Sequence, residues 1–438
     1  MCYFIFCKKI SPITTIIWGM GFFSTVVFAE EDGVISQGTE ETKELQSPVV
    51  PSELPSPLSM SLSYVSEPMI HAHVSNPKVN YVSGVELNTQ WSKGFVNSDV
   101  ENWKEIEHWV FTLDIQQYMD TGDLGTQIGV VNPPQEIFNP QGVYLGELSA
   151  TRNGGEDDIY LKVGSISMDA DFLAPEVTGW YTHTAFNNQY NVSIPIFPIS
   201  PLQAYGVVVG KEVQEEHEVF VKGGVYQLSA VRSDFANRGW NWETTTQDGL
   251  VEIVEVSGAI GDNEETVSVC PPREHTFSRK TKHCDANWEV VNELPQGSWQ
   301  VGAFVSQSDT QTDGTRLAND AVYANVTLPL GDKRDHLWWV SGVYGLQPQN
   351  NPVPVWVGTG WLSQGFLTSR PLDVLLLGAS WSHFSLDDWQ NKELLLEVEY
   401  AFVLTNAVTL QGNAMWFAQS VNMTEKPLLF GLAVQAGF

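Results

Sequence analysis

Five polar side chains near the end of the sequence stand in a pattern that binding chemistry can use. Glu397 and Glu399 alternate with Leu394, Leu396, Val398, Tyr400, Phe402 and Leu404. Gln411 and Asn413 alternate with Val408, Leu410, Ala414 and Trp416, and Gln435 sits in the alternating last eleven residues. Carboxylates and amides bind hydroxyl groups, while aromatic faces stack on the apolar side of a pyranose ring. Such a row suits a wet wall that passes or weakly binds a polar solute. For any single one of the five, a hydrated wall without solute contact is the plainer reading.

Signatures of enzyme chemistry are missing from the sequence. There is no GxSxG elbow, P-loop, HExxH or strand-borne GxGxxG, and no cofactor is implied. His108, His183, His217, His336 and His383 lie near expected strands without a partner at catalytic spacing, which leaves an outer-membrane barrel enzyme as a minor alternative. Cys270 and Cys284 are the two cysteines beyond residue 29. They suit one disulfide formed in an oxidising compartment, worth about 3 kcal/mol by loop-closure entropy. The rival is a metal site using His275 and His283, but neither CxxC nor HxxxH spacing supports it, and no metal is expected.

The elements that must carry these residues are strands. Alternation with a period of two puts one set of side chains on each face. In a soluble sandwich the apolar set would be the core; in a membrane barrel it would face lipid, with Glu397 and Glu399 turned to a wet lumen. Eight strands are expected from Ser298 onward. Others are expected at residues 109–118, 158–163, 204–210, 218–227, 250–256 and 287–294. If the last strand ends in the periplasm, residues 418–427 are extracellular and the tight turn at Thr405 and Asn406 is periplasmic. The fold class is then all-β, a transmembrane antiparallel β-barrel of about 16 strands of the outer-membrane type. Trp338, Trp339, Trp361, Trp381, Trp416 and Phe438 are candidates for its aromatic girdles. The connection at residues 259–284 has no assignable side.

Upstream, residues 1–29 read as a signal peptide. Lys8 and Lys9 precede an apolar run that ends at Val27, Phe28 and Ala29. An uncleaved anchor is the alternative. Residues 30–58 read as a disordered arm rich in Glu and Pro, and residues 59–438 as the barrel. Sixteen Trp and 11% aromatic residues fit two interfacial girdles. With 52 Asp and Glu against 22 Lys and Arg, a nucleic-acid partner is excluded. Expected partners are outer-membrane lipid and the barrel assembly machinery, the latter because the terminal Phe438 resembles the usual end of an outer-membrane barrel chain; a homo-oligomer is left open.

Several stretches resemble the OprB family of carbohydrate-selective porins, from about residue 80 to the end. The closest is residues 360–378, a Gly-rich strand, a turn with Arg370, Pro371 and Asp373, and a returning apolar strand. Residues 394–417 are similar to the family's paired closing strands. Further matches are Tyr160 to Gly164 with Asp169, Asp171, Phe172 and Phe186, and the segments Tyr205-Gly206-Val207 and Gly224-Val225-Tyr226-Gln227. One departure is Ser165, where the family tends to place Arg. The resemblance implies passive diffusion of carbohydrates through a water-filled barrel in the outer membrane. At the turn, Arg370 and Asp373 suit an ion pair better than a binding role. The alternatives are a general or cation-leaning porin, since a Glu-lined lumen favours cations, and a plugged structural or adhesive barrel.

Overall fold

A strand with one apolar face still carries backbone donors and acceptors along both edges, and in hydrocarbon each needs a partner. The structure, a computed structural model, meets that need by closing one antiparallel sheet on itself. It describes residues 58–437 apart from 73–78, 95–107, 154–158, 188–196, 215–217, 262–293, 310–315, 332–334, 385–390, 406–407, 421–425 and seven single positions. The expected leader, most of the arm, Cys270, Cys284, His217, His275, His283 and Phe438 lie outside the described residues.

The strands are β1 (Leu58–His71), β2 (Val79–Gly94), β3 (His108–Asp120), β4 (Gly142–Asn153), β5 (Ile159–Ile166), β6 (Ala204–Gln214), β7 (Val219–Leu228) and β8 (Gly249–Ile260). They continue as β9 (Gly297–Asp309), a short β10 (Arg316–Ala318), β11 (Ala321–Leu330), β12 (His336–Gly345), β13 (Val355–Gln364) and β14 (Val374–His383). The last three are β15 (Lys392–Thr405), β16 (Val408–Gln419) and β17 (Leu428–Gly437). β10 pairs only with β9, beside the ring, so the closed wall has 16 strands. The first and last strands seal it, with Ser63 opposite Gly437 and His71 opposite Leu429.

The alternation resolves into two faces. Leu396, Val398, Phe402, Phe430 and Leu432 are exposed on the outer wall, while Leu395, Glu397, Glu399, Leu429 and Ala433 are buried inside. Trp338 and Trp416 share the outer face with half-buried Trp361 and Trp381. Trp339 departs from the girdle expectation: neighbours on a strand point to opposite faces, so with Trp338 outward it turns inward and is 1% exposed.

Expected strands at residues 109–118, 158–163, 204–210, 218–227 and 250–256 correspond to β3, β5, β6, β7 and β8, and the eight from Ser298 onward to β9 and β11 to β17. Of the strand expected at 287–294 only Leu294 is described, and it lies in a bend. Pattern reading overlooked β1, β2 and β4. Serines and Pro68 interrupt β1, and Asn88, Thr89 and Gln90 run together in β2. In β4, Asp114 faces Glu147 and Ile115 faces Leu145, which leaves Gly146 as a bulge. Exposed Val143 and Leu148 therefore share the outer face although an odd number of positions separates them.

Strand directions put the β15–β16 turn at one rim, together with the longer β2–β3 and β8–β9 connections, so connection length does not separate the two rims. Thr405 and Val408 pair across the tightest turn, and β8 and β9 also meet that rim at Ile260 and Gly297. The opposite rim carries residues 121–141, 167–203 and 229–248. The last of these repairs a split in the wall. β4 pairs with β5 only from Leu148 onward, and residues 229–248 cover the bare edge. Leu145 donates its N–H to the Arg238 carbonyl, and Trp240 Nε1 donates to the Val143 carbonyl. Arg232, 1% exposed, fastens this strap: its guanidinium lies 4.3 Å from the Tyr205 ring and 5.2 Å from Trp242, and it donates to Ser165 Oγ and the Gln203 carbonyl.

At the turn rim, Asp373 accepts both Arg370 Nε and Nη2 at 2.8 Å and the Val403 N–H at 3.1 Å. Arg370 Nη2 also donates to the Val403 carbonyl at 2.9 Å, so the pair ties the β13–β14 turn to β15. The same bonds push the Arg370 pKa up. Asp373→Asn is expected to lower unfolding free energy by about 2 kcal/mol, partial exposure of Arg370 keeping the loss modest. The urea midpoint of the refolded barrel reads it, and an unchanged midpoint refutes the tie. Arg232→Ala is expected to weaken strap docking by about 2 kcal/mol. Chymotrypsin should then cut near Trp240 and Trp242 more than tenfold faster while the wall stays folded; cleavage at the wild-type rate would show that Arg232 does not hold the strap.

Candidate functional site

The barrel interior is shaped by the connection from β5 to β6, whose described residues 167–173, 175–187 and 197–203 turn inward. Their apolar side chains cannot stay in water at a rim without cost, and the inner wall offers them partners. Met168, Phe172, Leu173, Val177, Tyr181, Phe186 and Phe197 are all at most 1% exposed. Tyr181 and Phe186 meet Trp339 edge-on at 5.6 and 5.9 Å between centroids, His183 tilts on Phe417 at 5.4 Å, and Phe172 meets Tyr226. Two glycines make the closest approach possible. Gly360 and Gly378 face each other across β13 and β14, and a Cβ on either would strike Tyr181, with Trp339 behind the first and Phe186 behind the second.

Several polar contacts moor this inward segment to the wall, among them Tyr181 to the Leu377 carbonyl at 2.9 Å and Gln116 Nε2 to Ser200 Oγ at 3.1 Å, and two of the moorings centre on glutamates. On β8, Glu255 accepts the Leu173 N–H at 3.0 Å and the Tyr323 hydroxyl at 2.8 Å, and pairs with Lys222 at 3.1 Å. On β15, Glu399 accepts the Thr182 N–H at 2.7 Å, the Thr182 hydroxyl at 3.0 Å and an N–H of Gln411. Gln411 also donates to the Trp180 carbonyl at 2.9 Å, and Asn413 to Thr182 Oγ1 at 3.3 Å. Residues 173–182 thus cross the bore as a chord from β8 to β15. Behind the chord, Leu337, Trp339, Trp356, Leu362, Val374 and Leu376 form an apolar core.

Residues 121–141 add a second inward fold. Glu393 accepts the Val131 N–H at 2.8 Å, the Asn132 N–H at 3.4 Å, Asn132 Nδ2 at 2.7 Å and the Ser420 hydroxyl at 2.6 Å. The Thr184 hydroxyl donates to the Pro133 carbonyl at 2.6 Å and joins the two folds. In front of the chord the wall carries polar groups beside a second apolar cluster that includes Val65, Val82, Tyr118 and Tyr144. Asp114 and Glu147 are cross-strand neighbours with Glu86 diagonal to Asp114. Gln116 Nε2 donates to Asp114 at 2.6 Å, and Lys162 lies 3.1 Å from Glu147 and 3.4 Å from Asp171.

The five residues singled out by alternation all face the interior, but they divide. Glu399, Gln411 and Asn413 engage the inward segment, and Glu397 is buried beside Glu399 at 1% exposure. Gln435 is only half-buried, on the part of the wall in front of the chord. Alternation missed Glu255 and Glu393. In β8 the inward row is Val251, Ile253 and Glu255, and Glu252 is on the outer face, so neither face reads as polar. Glu393 precedes the alternating run, and its partners stand far off in sequence. Thr182 lies in a stretch without strand periodicity, although Phe172 and Phe186 on either side belong to the family-like motif. His183 is enclosed: burial pushes its imidazole down to about 3, and Nδ1 accepts the Ala185 N–H at 2.9 Å. His336 lies beside Asp335 at 3.7 Å and stacks on Trp361, and His383 is buried on β14.

Comparison with known proteins agrees with this architecture. Residues 100–438 match the family model described as carbohydrate-selective porin, OprB family. The high-pH structure of OprB from Pseudomonas putida superposes with a TM-score of 0.68 at 15% identity, covering 87% of this chain and 94% of that one. The trimer form of in-vitro folded OmpT from Vibrio cholerae gives 0.51 at 8% identity, covering 87% and 99%. At such identities the superpositions speak for the fold alone. No curated protein sequence matches the chain. Barrels of one shape carry different cargo, and the family match separates them: the chain belongs to the carbohydrate-selective porins of the OprB family, in the outer membrane.

Proposed function

We propose that sugars diffuse passively past the free side of the chord, along the inner faces of β2 to β5 and β17. The chord carries this reading, because it fills the β9–β14 side of the bore with apolar packing and leaves hydrogen-bonding groups on the other. Half-buried Glu86, Glu147 and Gln435 supply acceptors and donors for hydroxyls there, with Asp114, Gln116 and Lys162 buried behind them. On this reading Glu399, Gln411 and Asn413 act on sugars indirectly, by holding the chord, and Glu397 lies beneath it. The rim that carries residues 121–141, 167–203 and 229–248 faces outward from the cell, and the rim with the β15–β16 turn faces the periplasm. The outer wall contacts membrane lipid, and the terminal Phe438 addresses the barrel assembly machinery.

A cation-leaning pore is the second reading, favoured by the three carboxylates Glu86, Asp114 and Glu147 on adjoining strands. The refolded chain in lipid vesicles separates the two. Faster swelling with glucose and maltose than with an amino acid of similar size, and ionic current blocked by added sugar, are the expected results. Equal swelling with all solutes and a reversal potential near the cation limit would replace sugar selectivity with the second reading.

A further inference from the structure

Three acidic residues that look like pore lining share a different geometry. Glu255, Glu393 and Glu399 are each at most 2% exposed, and each points into the barrel from a strand. Each accepts at least one main-chain N–H from an inward-folded segment: Leu173 on Glu255, Val131 and Asn132 on Glu393, and Thr182 on Glu399. In all three, both carboxylate oxygens are engaged. Glu255 divides its oxygens between Lys222 on one side and Leu173 with Tyr323 on the other. Glu393 spends one on Asn132 and the other on Val131 and Ser420. Glu399 spends one on the Thr182 N–H and the other on the Thr182 hydroxyl and Gln411.

We infer that Glu255, Glu393 and Glu399 are positioning residues, a set of carboxylate pegs that fixes the aperture by mooring the two inward segments. Charge-assisted bonds to main-chain N–H groups are stronger than neutral ones and directional. A segment with few regular backbone bonds of its own is therefore held at chosen points along its length. The pegs sit at both ends of the chord, and the Thr184 to Pro133 bond couples the Glu393 peg to the Glu399 peg. Covered by the segments they hold, these carboxylates are withdrawn from the solute. They set how wide the pore is and leave its charge preference to half-buried Glu86 and Glu147. The inference rests on the proposed path in front of the chord.

Isosteric variants test it in planar bilayers with the full refolded chain. A glutamine has one acceptor oxygen in place of two and turns an N–H2 group toward donors, so Glu399→Gln, Glu393→Gln and Glu255→Gln should each loosen a mooring. The expected result is single-channel conductance raised about twofold with added flicker, weaker block by sugar, and an unchanged reversal potential in a KCl gradient. Glu252→Gln, on the outer face of β8, should leave all of these at wild-type values. Unchanged conductance in all three variants would overturn the inference. So would a reversal potential shifted away from cations at constant conductance, since that marks charges lining the path. If a peg variant fails to fold, Thr182→Val removes one donor to Glu399 from the segment's side and must give the same rise. Ionic conductance reads the pegs without any sugar, so a wild-type chain that conducts ions and admits no sugar would overturn the proposed function separately.

Discussion

Hydrocarbon offers the backbone no hydrogen bonds, and that single deprivation organises the molecule. Each lipid-facing strand must find a partner on both edges, so the sheet has to close, and Ser63 must meet Gly437 across a gap of nearly the whole chain. Closure in turn dictates two faces, because outer residues are fixed as apolar and only the inner ones remain free to vary. Where pairing lapses, something else has to stand in. The upper edge of β4 lacks β5, and residues 229–248 lie against it with Arg232 packed against the rings of Tyr205 and Trp242.

A barrel of this size encloses more space than its own wall can fill, and the inner wall is treated in two ways. From β9 to β14 it presents large apolar side chains, and the inward segment packs on them as an ordinary hydrophobic core inside a membrane protein. Burying a side chain such as Phe186 or Leu173 contributes roughly 2 kcal/mol each. From β2 to β5 the wall presents carboxylates, amides and Lys162. Apolar packing on the β9–β14 side makes the interior asymmetric, and Glu255 and Glu399 stand where the inward segment meets the wall.

Much of this was legible in the residue order, and the rest has identifiable reasons for its silence. The last eight ring strands alternate cleanly because lipid outside and packing or water inside impose opposite demands on neighbours. The Gly-rich strand and Arg370–Asp373 turn stood out as a motif, yet its physical meaning needed three dimensions. Gly360 and Gly378 make a seat for Tyr181, a residue far away in sequence. β4 was hidden by one bulged glycine that shifts the phase of alternation. Glu397 and Glu399 read as facing a wet lumen because periodicity gives the face of a residue, and what covers that face is contributed by residues 167–203. Glu255 was lost among valines and isoleucines, since its inward neighbours serve the inner apolar core.

The split beside β4 bears on how this sequence can drift over generations. Connections at a barrel rim are ordinarily where insertions and deletions accumulate, because little depends on their length. Residues 229–248 have lost that freedom. They are a connection by position and a piece of wall by employment, so a change in their length would move Arg232 away from Tyr205 and Trp240 away from Val143. Among relatives, this stretch should vary in the manner of a strand, with substitutions accepted and gaps rejected, although nothing in its own residues forms one.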